Sequence, residues 1–469
     1  MLQNEAASKT TKKIGNYRWT ICALLFFATT INYLDRQVLS LLQPSLSEQF
    51  NWTNSDYANI TSVFQISYAI ALLFAGRFID WLGTKKGYAW SLVLWSLGAM
   101  IHAFAIQIGS AASPLLSKLG VFIPVSVIGF TFARFLLGVG EAGNFPAAIK
   151  TTAEWFPKKE RSFATGIFNS GSNIGAIAAP LSVPWLARYF GWESAFVIVG
   201  AAGFLWLVFW KRYYDSPKNF LEKGRVGETE YKYILSDEEE QAPEKKNNEE
   251  SNNKNSIKWF RLLGYKQTWS FAIGKFLTDG VWWFFLFWLP AYLKIKYNIT
   301  GIGVMVPLAV LYSMTMVGSI SGGWFPTFFV NKGMDIYSAR MTAMIVIALF
   351  PLVVLLAQPL GSISYWYSIV LIGIGASAHQ AWSANIFTTV SDMFPKKVVA
   401  SVTGIGGMAG GFGGLVTSKT AGWLFDYYKS FGHTETGYTV MFTFCSLAYL
   451  LAWCIMKLLV PKFKPITDL

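Results

Sequence analysis

Twelve apolar blocks alternate with short polar segments along this 469-residue chain. They fall at about 17–42, 56–77, 87–108, 122–150, 163–187, 192–214, 267–294, 303–329, 338–357, 364–389, 399–425 and 438–460. Each is close to the roughly 20 residues a helix needs to cross a bilayer. The runs are long and continuous, unlike the alternating ten-residue segments of a barrel, so they predict helices. The pattern therefore predicts an all-α membrane protein with twelve transmembrane helices in two six-helix bundles. A cytoplasmic tail (1–16) precedes the N-terminal bundle (17–214). A charged linker (215–262), the C-terminal bundle (263–460) and a second cytoplasmic tail (461–469) follow. The linker is rich in Asp, Glu, Lys, Asn and Ser, a composition that does not fold alone, and it reads as flexible.

The two halves repeat weakly. Phe156-Pro157-Lys158-Lys159 returns as Phe394-Pro395-Lys396-Lys397, and Thr165-Gly166-Ile167 as Thr403-Gly404-Ile405. Phe50-Asn51-Trp52-Thr53 resembles Tyr297-Asn298-Ile299-Thr300. Duplicated bundles place a substrate site between them, near the bilayer midplane.

Composition agrees, with 53% hydrophobic and 14% charged residues. The net charge of +13 is unevenly spread, since the N-terminus and every second loop hold about 30 of the 39 Lys and Arg. That asymmetry puts both termini in the cytoplasm of a bacterial inner membrane and reports contact with anionic lipid, not nucleic acid. Cys22, Cys445 and Cys454 fall within spans and form no disulfide or zinc pattern. The first span is too long and too polar at its centre for a cleaved signal and is expected to remain.

The chemistry concentrates in a few spans. Asp35 and Arg36 lie at membrane depth in the first, where an isolated charge costs at least about 2.5 kcal/mol and so faces an interior or a wet cavity. Asn32, Tyr33 and Arg36 share a helix face and suit a hydroxylated anion. A structural ion pair is the alternative. In the fourth span Arg134 and Glu141 are two turns apart on one face, and Arg134 is the expected partner of Asp35. The fifth carries Asn169 and glycines four apart, a close-packing face. Lys275 and Asp279 in the seventh either neutralise each other or act on substrate. The tenth offers His379, Gln380, Trp382, Ser383 and Asn385. Seven glycines between Gly404 and Gly414 leave the eleventh free to slide or bend. Between the second and third spans, Gly76, Arg77, Asp80 and Gly83 form a glycine-and-charge cluster suited to latching one conformation.

These features resemble the major facilitator superfamily over the whole chain, and the 76–87 cluster is similar to its signature loop. Asn32-Tyr33-Leu34-Asp35-Arg36, Arg134 to Pro146, Lys275 to Asp279 with Trp282-Trp283, and Ala378 to Ser383 look like the anion:cation symporter family, closest to bacterial hexuronate transporters. Gly280 departs from that pattern, standing where a proline is expected. The resemblance implies proton-coupled uptake of small organic anions. It implies that Asp35 and Glu141 handle protons, that Arg134 pairs with Asp35, and that Arg36 binds the substrate carboxylate. Tyr33, Tyr68 and Trp382 match pocket positions, with His379 and Gln380 beside them.

The expected mechanism follows. A carboxylate meets Arg36 in a two-pronged contact, and Tyr33, Tyr68, Asn169, Gln380 and Asn385 bond its hydroxyls. Trp382 packs on the sugar ring, and the halves rock about the loaded site. The coupling ion is the proton, with no cofactor, no metal and no obligate protein partner expected. A phosphorylated sugar, aldonate or dicarboxylate is the rival cargo, for which Lys275 would supply a second cation. A channel lacks its rings of like groups. An intramembrane enzyme lacks a catalytic set.

Overall fold

The computed structural model describes residues 15–120, 122–236, 259–394 and 396–466, and the side chain of Asp80 lies outside the described residues. Those residues form twelve helical rods and no strand. The first six are α1 (Tyr17–Phe50), α2 (Asn54–Leu82), α3 (Thr84–Lys118), α4 (Val125–Trp155), α5 (Lys158–Phe190) and α6 (Trp192–Tyr213). The second six are α7 (Lys266–Tyr297), α8 (Gly301–Val330), α9 (Ile336–Gly361), α10 (Tyr365–Met393), α11 (Lys396–Ser430) and α12 (Thr434–Leu459). Eight are apolar enough along one stretch to cross a bilayer by length and composition. The remaining four, α1, α5, α10 and α11, are as long.

The repeat seen in the sequence is a repeat of backbone. Asn51 ends α1 and Asn298 ends α7, each left-handed at φ 54°. Asn tolerates that conformation better than a branched residue. The next rod then starts within a few residues. Thr53 and Asp56 close a capping box on α2.

Packing repeats as well. α1 lies on α5 as α7 lies on α11, and α2 on α4 as α8 on α10. Between halves, α2 runs along α11, α5 along α8, and α1 meets α7.

Three expectations change. First, α11 is one continuous helix, and its glycines serve close approach. Gly406, Gly410, Gly413 and Gly414 face Phe271, Asp279, Phe276 and Trp283 of α7, while Gly407 and Gly411 face Leu72 and Ala69 of α2. A side chain at the first four would push α11 off α7, and one at Gly407 or Gly411 would push the two halves apart. Second, α4 breaks after Glu141 and restarts at Asn144, with Pro146 in the restarted first turn, where its missing N–H costs nothing. Third, the linker is partly folded. Pro217–Glu222 and Glu228–Ile234 are helices packed on the end of the N-terminal half where α1 starts. Phe220 docks on Tyr17 and Trp155. Glu230, buried, accepts from the Arg18 N–H at 3.1 Å and faces its guanidinium at 3.4 Å, while Glu160 holds Arg18 Nε at 2.8 Å. Apolar anchors and a buried ion triad outweigh the segment's polar composition.

At the same end, Gly83 takes φ +76° between α2 and α3, a conformation only glycine adopts readily. Gly76 faces open space and Arg77 is exposed. Thr84 donates to Glu154 at 2.5 Å, and Tyr214 donates to the same carboxylate at 2.6 Å. Burial alone would raise the Asp215 carboxyl, but Lys223, Asn219, the Ser216 N–H and Lys85 outweigh it and hold it below the ordinary carboxylate range.

Candidate functional site

Arg36 sits midway along α1, 4% exposed. Its Nε and Nη2 donate to Glu141 Oε2 at 2.9 and 2.6 Å. The contact exists because α4 comes unusually close to α2. A Cβ at Gly138 would strike Ser67 and the Phe64 carbonyl, and this approach sets Glu141, at the α4 break, opposite α1. Tyr88 fixes the restarted segment by donating to Asn144 Oδ1 at 2.6 Å.

Four rings enclose the guanidinium. Tyr33 lies at 4.7 Å, Tyr68 at 5.0 Å, Trp283 at 5.2 Å and Phe64 at 5.3 Å from its carbon. Cation–ring attraction in a site without water is worth up to about 2 kcal/mol per favourable ring. Tyr33 and Tyr68 are half-buried. Trp283 comes from α7, so the cage spans both halves. Neither Phe64 nor Trp283 stood out in the sequence as a site residue.

The expected Asp35–Arg134 pair is absent. Arg134 instead gives Nη1 and Nη2 to the Arg36 carbonyl at 3.2 and 3.3 Å. Both Asp35 oxygens are buried without a hydrogen-bond partner, as are Arg134 Nε, Glu141 Oε1 and Asn32 Nδ2. Asp35 feels the charges of Glu141 and Arg134 without touching either. Residues one apart on a helix diverge by about 100°, so with Arg36 turned to Glu141, Asp35 faces away from that pair. His102 Nε2, electrically near Arg134, is also unpartnered.

The second half is arranged otherwise. Lys275 and Asp279 form their own ion pair at 2.7 Å, with the ammonium 4.5 Å from the Phe387 ring centre. His379 stacks on Trp282 at 5.2 Å, and its Nδ1 lies 2.9 Å from the Tyr449 hydroxyl. Trp382 is fully buried with its ring against Tyr449, so in this conformation it presents no open face to a sugar. Asn385 spends its amide N–H groups on the Gly322 and Ala381 carbonyls at 2.8 and 2.9 Å. Gln380 is half-buried and has no bond among the described residues. Asn169 is exposed, while Asn173, one turn along the same face, is buried.

The core therefore sets Arg36, Arg134 and Lys275 against Asp35, Glu141 and Asp279, equal numbers of each sign. Side chains tie the halves together at the end away from the termini. Tyr57 donates to the Phe287 carbonyl at 2.8 Å, Gln65 to Ser418 at 3.0 Å, and Lys419 bonds Asn59.

Two duplicated helical bundles with a balanced set of buried charges at their seam define a membrane carrier. A family model described as the Major Facilitator Superfamily matches residues 25–418, and the chain belongs to that superfamily: it is a multi-pass membrane transporter and not an enzyme. It is similar to the hexuronate transporter of Escherichia coli (strain K12), 30% identical over 450 residues and 95% of each chain. A galacturonate transporter of Dickeya chrysanthemi is 32% identical over 319 residues, 68% of this chain and 84% of the relative. Among solved structures, an inward-facing, unoccupied bacterial homolog to the human lysosomal transporter Spinster superposes with a TM-score of 0.70 at 16% identity, covering 97% of this chain and 100% of the other.

Proposed function

We propose that this chain imports a hexuronate or closely related sugar-acid monoanion by proton symport, with both termini in the cytoplasm of the inner membrane. The observation that carries the reading is the sealed Arg36–Glu141 pair beside an unpartnered Asp35. With all six side chains counted as ionised, the formal charges of the core sum to zero. A substrate carboxylate that takes Arg36 from Glu141 leaves a carboxylate uncompensated in low dielectric, where burial favours its protonated form. One anion entering with one proton restores neutrality. Binding of each therefore favours the other, which is the linkage that symport needs. Asp35, with no cation bonded to it, is the second proton-handling group, and Arg134 acts on the α1 backbone at Arg36. No further cofactor enters the scheme.

A monoanion suits the site better than a dianion or phosphate, because Lys275 is already neutralised by Asp279. The names of the sugar-acid relatives support the substrate class. Tyr33 and Tyr68 supply hydroxyl partners, and Asn169, His379, Gln380, Trp382 and Asn385 complete the facing wall as the halves move. The bonds at the outer end make this conformation closed to the outside, with Trp283 passing on and off Arg36 as the halves rock.

Counterflow with purified protein in liposomes tests the reading. Glucuronate or galacturonate inside should drive saturable uptake of the labelled acid, and an imposed inward proton gradient should concentrate it. Counterflow only with a phosphorylated sugar or dicarboxylate, or uptake indifferent to the proton gradient, would overturn it.

A further inference from the structure

The outer ends of α1 and α2 form a hairpin, and the C-terminal half grips it at both helix ends with charges of opposite sign. At the start of α2, the Thr53 hydroxyl accepts the Asp56 N–H at 3.0 Å. The Asn54 and Ser55 N–H groups have no acceptor in their own half. Asp426 of α11 supplies it, with Oδ1 accepting from the Asn54 N–H at 2.9 Å and from Asn54 Nδ2 at 3.0 Å, and Oδ2 accepting from the Ser55 N–H at 2.7 Å. A carboxylate is the favoured group at a helix N-terminus, where free N–H groups and the helix dipole both present positive charge. At the end of α1, Lys294 of α7 donates to the Pro44 carbonyl at 2.9 Å and to Glu48 at 2.7 Å. Glu48 lies in the last turn of α1, where a cation is favoured for the complementary reason.

We infer that Asp426 and Lys294 are the outer-gate residues of this carrier, with Asp426 the stronger latch. Both bonds join the two halves, so both must break before the site opens outward. The half-buried Asp426 makes three bonds in one place. Lys294 meets a Glu48 side chain that is 76% exposed, which weakens its share. Once the gate parts, water can take the Asn54 and Ser55 N–H groups, so the latch is reversible. It sets the balance between conformations and touches no substrate.

The inference rests on the alternating-access reading, and its test is separable from transport. Spin labels at Gln49→Cys and Ser430→Cys, both exposed and on opposite halves, report the outer-end separation in the purified full-length chain with Cys454→Ser. Asp426→Ala should raise the ratio of long to short distances about tenfold, the loss expected for hydrogen bonds to a charged group. Asp426→Asn, which keeps one acceptor, should fall between it and the parent, and Lys294→Ala should move the same way by less. In transport, a larger outward-facing fraction should lower the KM for external substrate, because apparent affinity follows the competent fraction. Unchanged distance distributions in folded Asp426→Asn and Lys294→Ala proteins would overturn the inference, even if Asp426→Ala fails to fold. If the parent transports no sugar acid, the distances still report the latch.

Discussion

The two halves share an architecture and treat their buried charges in opposite ways. In the C-terminal half, Lys275 and Asp279 answer each other one turn apart, and His379 is held between Trp282 and Tyr449. In the N-terminal half, Glu141 holds Arg36, while Asp35 has no partner and Arg134 is bonded only to a carbonyl. An unpartnered buried carboxylate is costly, and such cost persists where function uses it. The difference teaches which half carries the chemistry. On the proposed reading, proton and anion act on α1 and α4, and α7 and α10 form the wall against which they close.

Substitutions at three places sharpen or break that contrast. The largest effect is expected from Arg36→Ala, which should lower sugar-acid uptake by about a hundredfold or more, since it removes the forked charge-assisted contact proposed for the substrate carboxylate. Arg36→Lys should restore little, because an ammonium cannot make the forked contact. Uptake assays on folded protein check both, and transport near the parental level would remove the anchor role. Glu141→Gln should next separate exchange from accumulation, with substrate counterflow retained and proton-driven concentration lost. Concentrative uptake by this variant would move coupling elsewhere. The smallest transport effect should come from the second half. Lys275→Ala alone strands a buried carboxylate and should destabilise the protein by about 3 kcal/mol. Adding Asp279→Ala should recover most of that loss and leave coupling intact, read from melting curves and proton-driven uptake. A double variant that is stable but uncoupled would show that the C-terminal half takes part in proton handling.

Much of this was readable from residues alone. Charges inside twenty-residue apolar blocks stand out, so Asp35, Arg36, Arg134 and Glu141 were visible. The matching Asn51 and Asn298 turns were visible as a repeated tetrapeptide. Pairing was not, because helical spacing says which residues share a face and not how two helices are rotated against each other. Arg36 therefore took Glu141 where Arg134 was expected to take Asp35. The cage rings were hidden for another reason. In a chain with 38 Phe and 20 Trp, nothing distinguishes Phe64, and Trp283 stood out only as part of a motif and not as a ring beside a cation. The glycines of α11 read as looseness because a sequence shows the missing side chain and not the neighbour that occupies its place.

The folded segment beyond α6 bears on how the protein is made. Arg18 opens the first rod and finds Glu160 and Glu230 only after some two hundred further residues have been synthesised. Once the ribosome has passed residue 236, every group in that triad is available, and none comes from the second bundle. Domains emerging N-terminus first can fold as units. The first bundle is thus equipped to finish this end by itself, and a chain ending at residue 236 would already carry every group of the triad.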